Sequence, residues 1–123
     1  MEISTPTSEA LERYLSLSTA QLRLTAGNMA NIDTPGYRTQ GFDFQQEFAR
    51  QMQDTETLAG ALSMSPQNTL VDGLVARPDG NNVSMDREGL QLAKAQIQFK
   101  LGVLLIKSEF SMVSSAIHAS DGK

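Results

Sequence analysis

Two stretches of the chain, one near each end, repeat apolar residues every three or four positions, which is the spacing of one helical face. The first stretch predicts a helix that begins near Ser8, with Thr7 or Ser8 as its N-cap. We expect this helix to stop at Asn31, because Asn tolerates the left-handed backbone at a helix end. Its apolar face carries Leu11, Leu15, Ser18, Leu22, Ala26 and Met29.

The second stretch opens around residues 82–84, with Ser84 as its N-cap, and has no proline from there to the end of the chain. Its first seam steps alternately by four and three residues, a heptad pattern with one polar break. The positions of this first seam are Leu92, Gln96, Phe99, Val103, Ile106, Phe110, Val113 and Ile117. Gly89 and Gly102 stand where a strong helix former would be expected.

A second seam follows the same predicted helix through Leu90, Ile97, Leu101, Leu104 and Met112. A helix that is apolar over so broad an arc is contacted from more than one side. A two-helix hairpin covers one seam and leaves the other bare. The pattern therefore predicts that neighbouring subunits cover the surplus apolar surface.

The middle of the chain is rich in turn residues. Phe44 and Phe48 lie one helical turn apart, which indicates a short helix from about Phe44 to Gln53. The apolar pairs at 70–71 and 74–75 flank Asp72 and Gly73, which is typical of a local hairpin. A compact second core is not expected here.

Together these elements predict a mainly α fold. Long N- and C-terminal amphipathic helices form a coiled-coil-like hairpin, joined by a turn-rich loop segment with room for a short helix or hairpin. We divide the chain into 1–40 (N-terminal helix and turn), 41–83 (variable middle segment, largely loop) and 84–123 (C-terminal helix).

A forced turn follows the first helix. Thr34 precedes a proline, which pushes its backbone out of the helical region. Pro35 and Gly36 suit the two central positions of a type II turn, because proline fixes φ and glycine accepts positive φ. Helix stop and turn together would fit many proteins.

Charge and composition exclude several functions. The net charge of −4 gives no footprint for nucleic acid, and six acidic residues against two arginines place the acidity at 41–85. No cysteine is present, no apolar run approaches the length of a membrane helix, and the N-terminus lacks the features of a cleavable signal. Taken alone, these observations indicate a soluble, cytoplasmic protein.

Candidate chemistry is sparse. The lone histidine, His118, is expected to face solvent near a helix end, and Asp86 and Glu88 are interpreted as charges at a helix N-terminus. The sequon Asn82-Val83-Ser84 is explained by helix capping. We expect no catalytic, cofactor or metal site, and no enzyme.

Residue identities around the turn go beyond what a turn requires. The passage resembles the N-terminal signature of the bacterial flagellar rod and hook family, at Asn28, Ala30, Asn31, Thr34, Pro35, Gly36 and Tyr37. The segment 81–88 is similar to the one that opens the C-terminal helix in that family. Residues 110–117 are similar to the tail of a proximal-rod member. The resemblance covers about 8–48 and 81–118.

The resemblance implies a structural subunit of the proximal rod of the flagellar basal body, assembling through its terminal helices to transmit torque. It implies residence in the rod within the periplasm, after type III export from the cytoplasm without a cleaved signal. The implied partners are copies of itself, other rod proteins, the rod-base adaptor FliE and the export apparatus. No nucleic acid, cofactor, small-molecule substrate or membrane-spanning segment is implied.

The expected assembly seam combines apolar positions of both long helices: Leu11, Leu15, Leu22, Leu92, Phe99, Val103, Ile106, Phe110, Val113 and Ile117. Two alternatives remain open. One is another axial rod protein of the same family, which the tail after Phe110 and the short middle segment disfavour. The other is a helical adaptor or chaperone of a secretion system, which would fold as a stable monomer or dimer.

Overall fold

A computed structural model of the chain describes residues 5–54, 57, 59–60 and 64–121. Its main elements are the helices α1 (Pro6–Ala30), α2 (Phe44–Asp54) and α3 (Met85–Asp121) and the short strands β1 (Gln40–Gly41) and β2 (Thr69–Leu70). Helices α1 and α3 pack along each other and run antiparallel, because Thr5 lies beside Glu109 and Asn28 beside Glu88. The predicted mainly α hairpin of long terminal helices, joined by a loop segment with a short helix, is confirmed.

The start of α1 differs from the prediction. Thr5, and not Thr7 or Ser8, is the N-cap: its hydroxyl accepts a hydrogen bond from the Ser8 N–H at 3.0 Å. The Ser8 hydroxyl in turn accepts from the Thr5 N–H at 2.9 Å, which completes a capping box. Pro6 occupies the first helical position, where its fixed φ suits a helix and its missing N–H costs no hydrogen bond.

The end of α1 lies where the sequence indicated, but with another backbone conformation. Asn31 is the C-cap at φ −101°, so it is not left-handed as expected. Its side chain donates to the Gly27 carbonyl at 2.8 Å and satisfies a helix-end acceptor directly. Positive φ occurs instead at Gly36, at 75°, where the Tyr37 N–H closes the turn onto the Thr34 carbonyl at 3.2 Å.

The predicted local hairpin around Asp72 and Gly73 is wrong. Strand β2 pairs antiparallel with β1, so Thr69 and Leu70 lie opposite Gly41 and Gln40. A lone two-stranded hairpin is marginal in water, whereas β1 is already held against α1. At Gly41 a Cβ atom would lie 3.0 Å from Val71 Cγ2, so glycine lets the two strands approach.

Small side chains lie at the centre of the α1–α3 contact. The α3 row that faces α1 has residues seven apart: Glu88, Ala95, Gly102 and Glu109. Glu88, Ala95 and Gly102 are buried, and Leu17 is the buried large apolar residue of α1. The residues of the expected assembly seam are less buried than this row: Leu11, Leu15, Leu22, Leu92, Val103, Ile106 and Val113 are half-buried, and Phe99, Phe110 and Ile117 are exposed.

Helix α2 packs on α1 through aromatic rings. Tyr14 makes edge-to-face contacts with Phe44 and Phe48, at centroid distances of 5.2 and 6.2 Å. The Arg13 guanidinium, buried under α2, donates to the Gln51 carbonyl at 3.2 Å. The prediction of a short helix from Phe44 is confirmed, and these contacts fix it to the hairpin.

Candidate assembly surfaces

The side chain of Asn28 joins four parts of the fold. Its amide nitrogen donates to the Gln40 carbonyl at 2.8 Å and to the Glu88 carboxylate at 3.1 Å. Its amide oxygen accepts from the Tyr37 hydroxyl at 3.0 Å and from the Gln40 N–H at 3.2 Å. With 1% of its surface exposed, Asn28 uses its full hydrogen-bonding capacity to link α1, the turn, β1 and α3.

Two further asparagines fasten the loop before α3 onto the turn. Asn81 donates from its side chain to the carbonyls of Asn31 and Thr34, both at 2.9 Å. The Asn82 side chain accepts a hydrogen bond from the Thr39 N–H at 2.6 Å and is buried. This asparagine of the sequon therefore serves the packing of the fold. These hydrogen bonds hold together the two regions that resemble the flagellar family, near 28–37 and 81–88.

The remaining motif residues have unequal surroundings. The Thr34 hydroxyl donates to the Asn31 side chain at 3.0 Å. The Gly36 N–H donates to the Asp79 carbonyl at 2.9 Å. Ala30 and Pro35 are exposed, so the hydrogen-bonded interior of the turn does not explain their side chains.

Glu88 lies in the first turn of α3, as the sequence indicated. Its burial was not predicted: it has 0% of its surface exposed. Its carboxylate accepts from Asn28 and pairs with the Arg87 guanidinium. The spacing of seven to Ala95 and on to Gly102 is the sequence signal that places Glu88 on the buried face. Asp86, also in the first turn, is exposed.

Asn28, Tyr37 and Glu88 are joined by hydrogen bonds, and we call these three residues the turn cluster. Burial raises the pKa of Tyr37 above its usual value, and the nearby Glu88 carboxylate raises it further. Both effects disfavour a phenolate, because its negative charge would be desolvated beside another negative charge. The phenol therefore stays protonated and keeps donating to Asn28.

The second seam of α3 is exposed, and its Leu101 also lines a cavity with Leu11 and Tyr14 of α1 and Phe48 of α2. We call its residues, Leu90, Ile97, Leu101, Leu104 and Met112, the outer stripe. Their exposed fractions lie between 48% and 67%. The prediction that a single hairpin leaves this seam uncovered is confirmed, while its coverage by other subunits stays a prediction.

Phe110 is exposed at the far end of the hairpin, with 69% of its surface open. The Thr5 hydroxyl, at the start of α1, donates to Glu109 at 2.7 Å. Beside this bond, Phe110 and Val113 line a cavity of about 20 Å³ with Thr5 and Ser8. Phe110 is thus free in the single chain to contact another protein.

Elsewhere the structure offers little for chemistry. Across residues 5–54 and 64–121, no three acidic or histidine side chains are grouped so that they could bind a metal ion. His118 is exposed, as predicted. Within the same part of the chain, no helix has the length and apolar character needed to cross a membrane.

No protein-family model matches the chain. Curated relatives do. The chain is 27% identical to the flagellar basal body rod protein FlgB of Salmonella typhimurium, over 89% of this chain and 91% of that protein. It is 28% identical to FlgB of Bacillus subtilis, over 95% of this chain and 97% of that protein, and 26% identical to FlgB of Escherichia coli. Relatives from such different bacteria, aligned over almost the whole length, confirm that this chain resembles the flagellar basal-body rod proteins named FlgB.

Proposed function

We propose that this chain is a structural subunit of the bacterial flagellar basal-body rod, in its proximal part, and that it assembles through its two long helices to transmit torque. The observation that carries the proposal is the outer stripe, left bare along a helix of 37 residues. At 1.5 Å per residue, α3 is about 55 Å long. The similarity to FlgB proteins supports the same class of function.

An exposed apolar stripe of this size is unfavourable in a monomer, because water contacts it, and it provides binding free energy when subunits assemble. Burying a large apolar side chain is worth about 1.5–3 kcal/mol. The five residues of the outer stripe are already one-third to one-half buried, so covering the rest gives roughly 5–9 kcal/mol before the costs of association. That gain recurs in each subunit and favours an ordered assembly.

Transmission of torque requires that the two helices move as one body. The hairpin is fastened at one end by Asn28 and Glu88 and at the other by Thr5 and Glu109. Between them, Gly102 fits against Leu15. Three connections along the length oppose sliding of one helix past the other, as a mechanical role demands.

The proposal extends to partners and location. We place the chain in the rod within the periplasm, after export from the cytoplasm. Its partners are then copies of itself, other rod proteins, the rod-base adaptor FliE and the export apparatus. The charged groups of the turn cluster are used to hold the fold, which suits a structural role and not catalysis.

The test is deletion of the gene in the source bacterium, followed by complementation with a tagged copy of the full chain. We expect the deletion strain to lose motility and to lack complete rods, and the tagged chain to be recovered in purified basal bodies. An empty vector is the control. Normal rods in the deletion strain, or a complementing chain that stays in the soluble cytoplasmic fraction, would contradict the proposal.

A further inference from the structure

We propose that the outer stripe of α3 docks an apolar helix of a different polypeptide, one whose flanks carry carboxylates. This inference rests on the proposed function, since it names the chemistry of a partner for the same surface. Three observations support it: the helical spacing of the stripe, the lysines beside it, and the lack of a complementary surface on a second copy of the chain.

The shape of the stripe fits a helix. Leu90, Ile97 and Leu104 follow one another at intervals of seven residues on the exposed side of α3. Leu101 and Met112 widen this line, and from Leu90 to Met112 it extends about 33 Å at 1.5 Å per residue. A heptad line of large apolar side chains is the surface against which another helix packs its own knobs.

Over residues 89–108 the charges beside the stripe are all of one sign, and the exposed Asp86 lies one turn before its first residue. Between Glu88 and Glu109, the charged residues of α3 are Lys94, Lys100 and Lys107, and all three are exposed. Glu88 is buried and Glu109 accepts from Thr5 on the α1 side, so neither faces the stripe.

Helical spacing places each lysine next to the stripe, because side chains three or four residues apart are neighbours on a helix. Lys94 is four residues after Leu90 and three before Ile97, and Lys100 lies between Ile97 and Leu104 in the same way. Lys107 follows Leu104 by three. The stripe therefore has a basic border along most of its length.

A second copy of the chain is a poor occupant. If α3 of one copy packed on α3 of another, lysines would border the contact on both sides, and like charges disfavour such a pairing. In the described part of the chain, the exposed large apolar side chains outside α3 are Met52, Leu70 and Val75. Three scattered residues cannot cover a line of about 33 Å. The surface thus selects a helix of different sequence, with Glu or Asp beside its apolar face.

The experiment uses the purified full chain and two synthetic amphipathic helical peptides with identical leucine heptads. One peptide has Glu at the flanking positions and the other has Lys. Fluorescence anisotropy gives the Kd of each. Exposed ion pairs are weak, at about 0.5 kcal/mol each. Three lysines should therefore make the Glu-flanked peptide bind about tenfold tighter at low salt. High salt should reduce the difference.

Variants of the chain make the test specific. Lys94→Glu, Lys100→Glu and Lys107→Glu together should reverse the preference between the two peptides. Ile97→Asp should weaken binding of both. Arg23→Glu, a matched charge reversal on the exposed side of α1, should leave the preference unchanged.

Equal affinity for both peptides, binding of neither, or self-association of the chain that Ile97→Asp abolishes would each overturn the proposed partner chemistry. These failures are distinct from failure of the rod function. A chain recovered in basal bodies that does not discriminate between the peptides keeps the rod function and loses the inference. A chain absent from basal bodies that still selects the Glu-flanked peptide loses the rod function and keeps the docking preference.

Discussion

Gly102 of α3 lies so close to Leu15 of α1 that a Cβ atom added at Gly102 would come within 2.7 Å of Leu15 Cδ2. The distance from this added Cβ atom to Tyr14 Cδ1 would be 3.2 Å. The missing side chain at position 102 therefore sets the distance between the two long helices near the middle of the hairpin. In the sequence, this glycine was only a weak point of a predicted helix.

Substitution of Gly102 tests this packing. Gly102→Ala should lower the free energy of unfolding, because overpacking costs typically about 1–3 kcal/mol, which exceeds the gain in helix propensity of up to about 1 kcal/mol. Urea denaturation followed by circular dichroism measures the change. Gly89→Ala is the matched control, since a Cβ atom there meets nothing within 4 Å. That variant should be more stable than the parent, and an equal gain at Gly102 would refute the close contact.

The contrast between these two glycines shows what the sequence could predict. Periodicity marked α1 and α3, and Pro35 with Gly36 marked the turn, because these signals depend on residues close together in the chain. The tight fit at Gly102, the burial of Glu88 and the pairing of β2 with β1 depend on residues 28 to 87 positions apart. No local pattern carries that information.

The same limit applies to the candidate surfaces. The second seam of α3 was predictable in full, since one helix contains all of its residues. Which seam would face α1 was not, because small residues at 95 and 102 allow a closer approach than the large apolar ones. Hydrophobic patterning favours large side chains and therefore overlooks a contact made by Ala95 and Gly102.

The Asn28–Glu88 hydrogen bond should be essential to the turn cluster. Asn28→Asp places a carboxylate 3.1 Å from that of Glu88 in place of the donating amide, with both groups buried. We expect a loss of about 2–4 kcal/mol in unfolding free energy, as for a buried charge without compensation. Glu88→Gln in the same chain should restore part of the loss. A double-mutant cycle from urea denaturation gives the coupling, and strictly additive effects would show that the two side chains do not interact.

Gly36 should be needed for its backbone conformation. At φ 75° with no atom near its missing side chain, Gly36→Ala meets a conformational cost of about 1–2 kcal/mol and no clash. Gly27→Ala, in open space within α1, is the matched control and should gain about 0.5–1 kcal/mol. Thermal or urea unfolding compares the two. Equal stabilisation by both substitutions would exclude a positive φ at Gly36.

Alkaline pH should weaken the turn cluster through Tyr37. Because burial and Glu88 raise the pKa of Tyr37, the native state holds the phenolic proton more tightly than the unfolded chain does. The resulting stability is complete below about pH 10, the ordinary pKa of tyrosine, and is lost as the pH rises through the native pKa. Urea denaturation at a series of pH values measures this loss.

Tyr37→Phe serves as the control for that titration. It should cost about 0.5–1.5 kcal/mol at neutral pH, because the hydrogen bond to Asn28 is gone. It should also flatten the alkaline decline, leaving the part due to Tyr14, whose pKa burial raises as well. A decline of unchanged steepness in Tyr37→Phe would place the titrating group elsewhere.

Recovery of outer-stripe variants in basal bodies tests most directly whether this surface joins the chain to the rod. Ile97→Asp places a charge in the middle of the stripe, and Gln96→Asp places the same charge at the neighbouring exposed position. Both variants should fold and be exported like the parent. Quantification in purified basal bodies should show Gln96→Asp near the parental level and Ile97→Asp strongly depleted, with motility lost in parallel. Ile97→Asp at the parental level in rods of swimming cells would contradict assembly through the outer stripe.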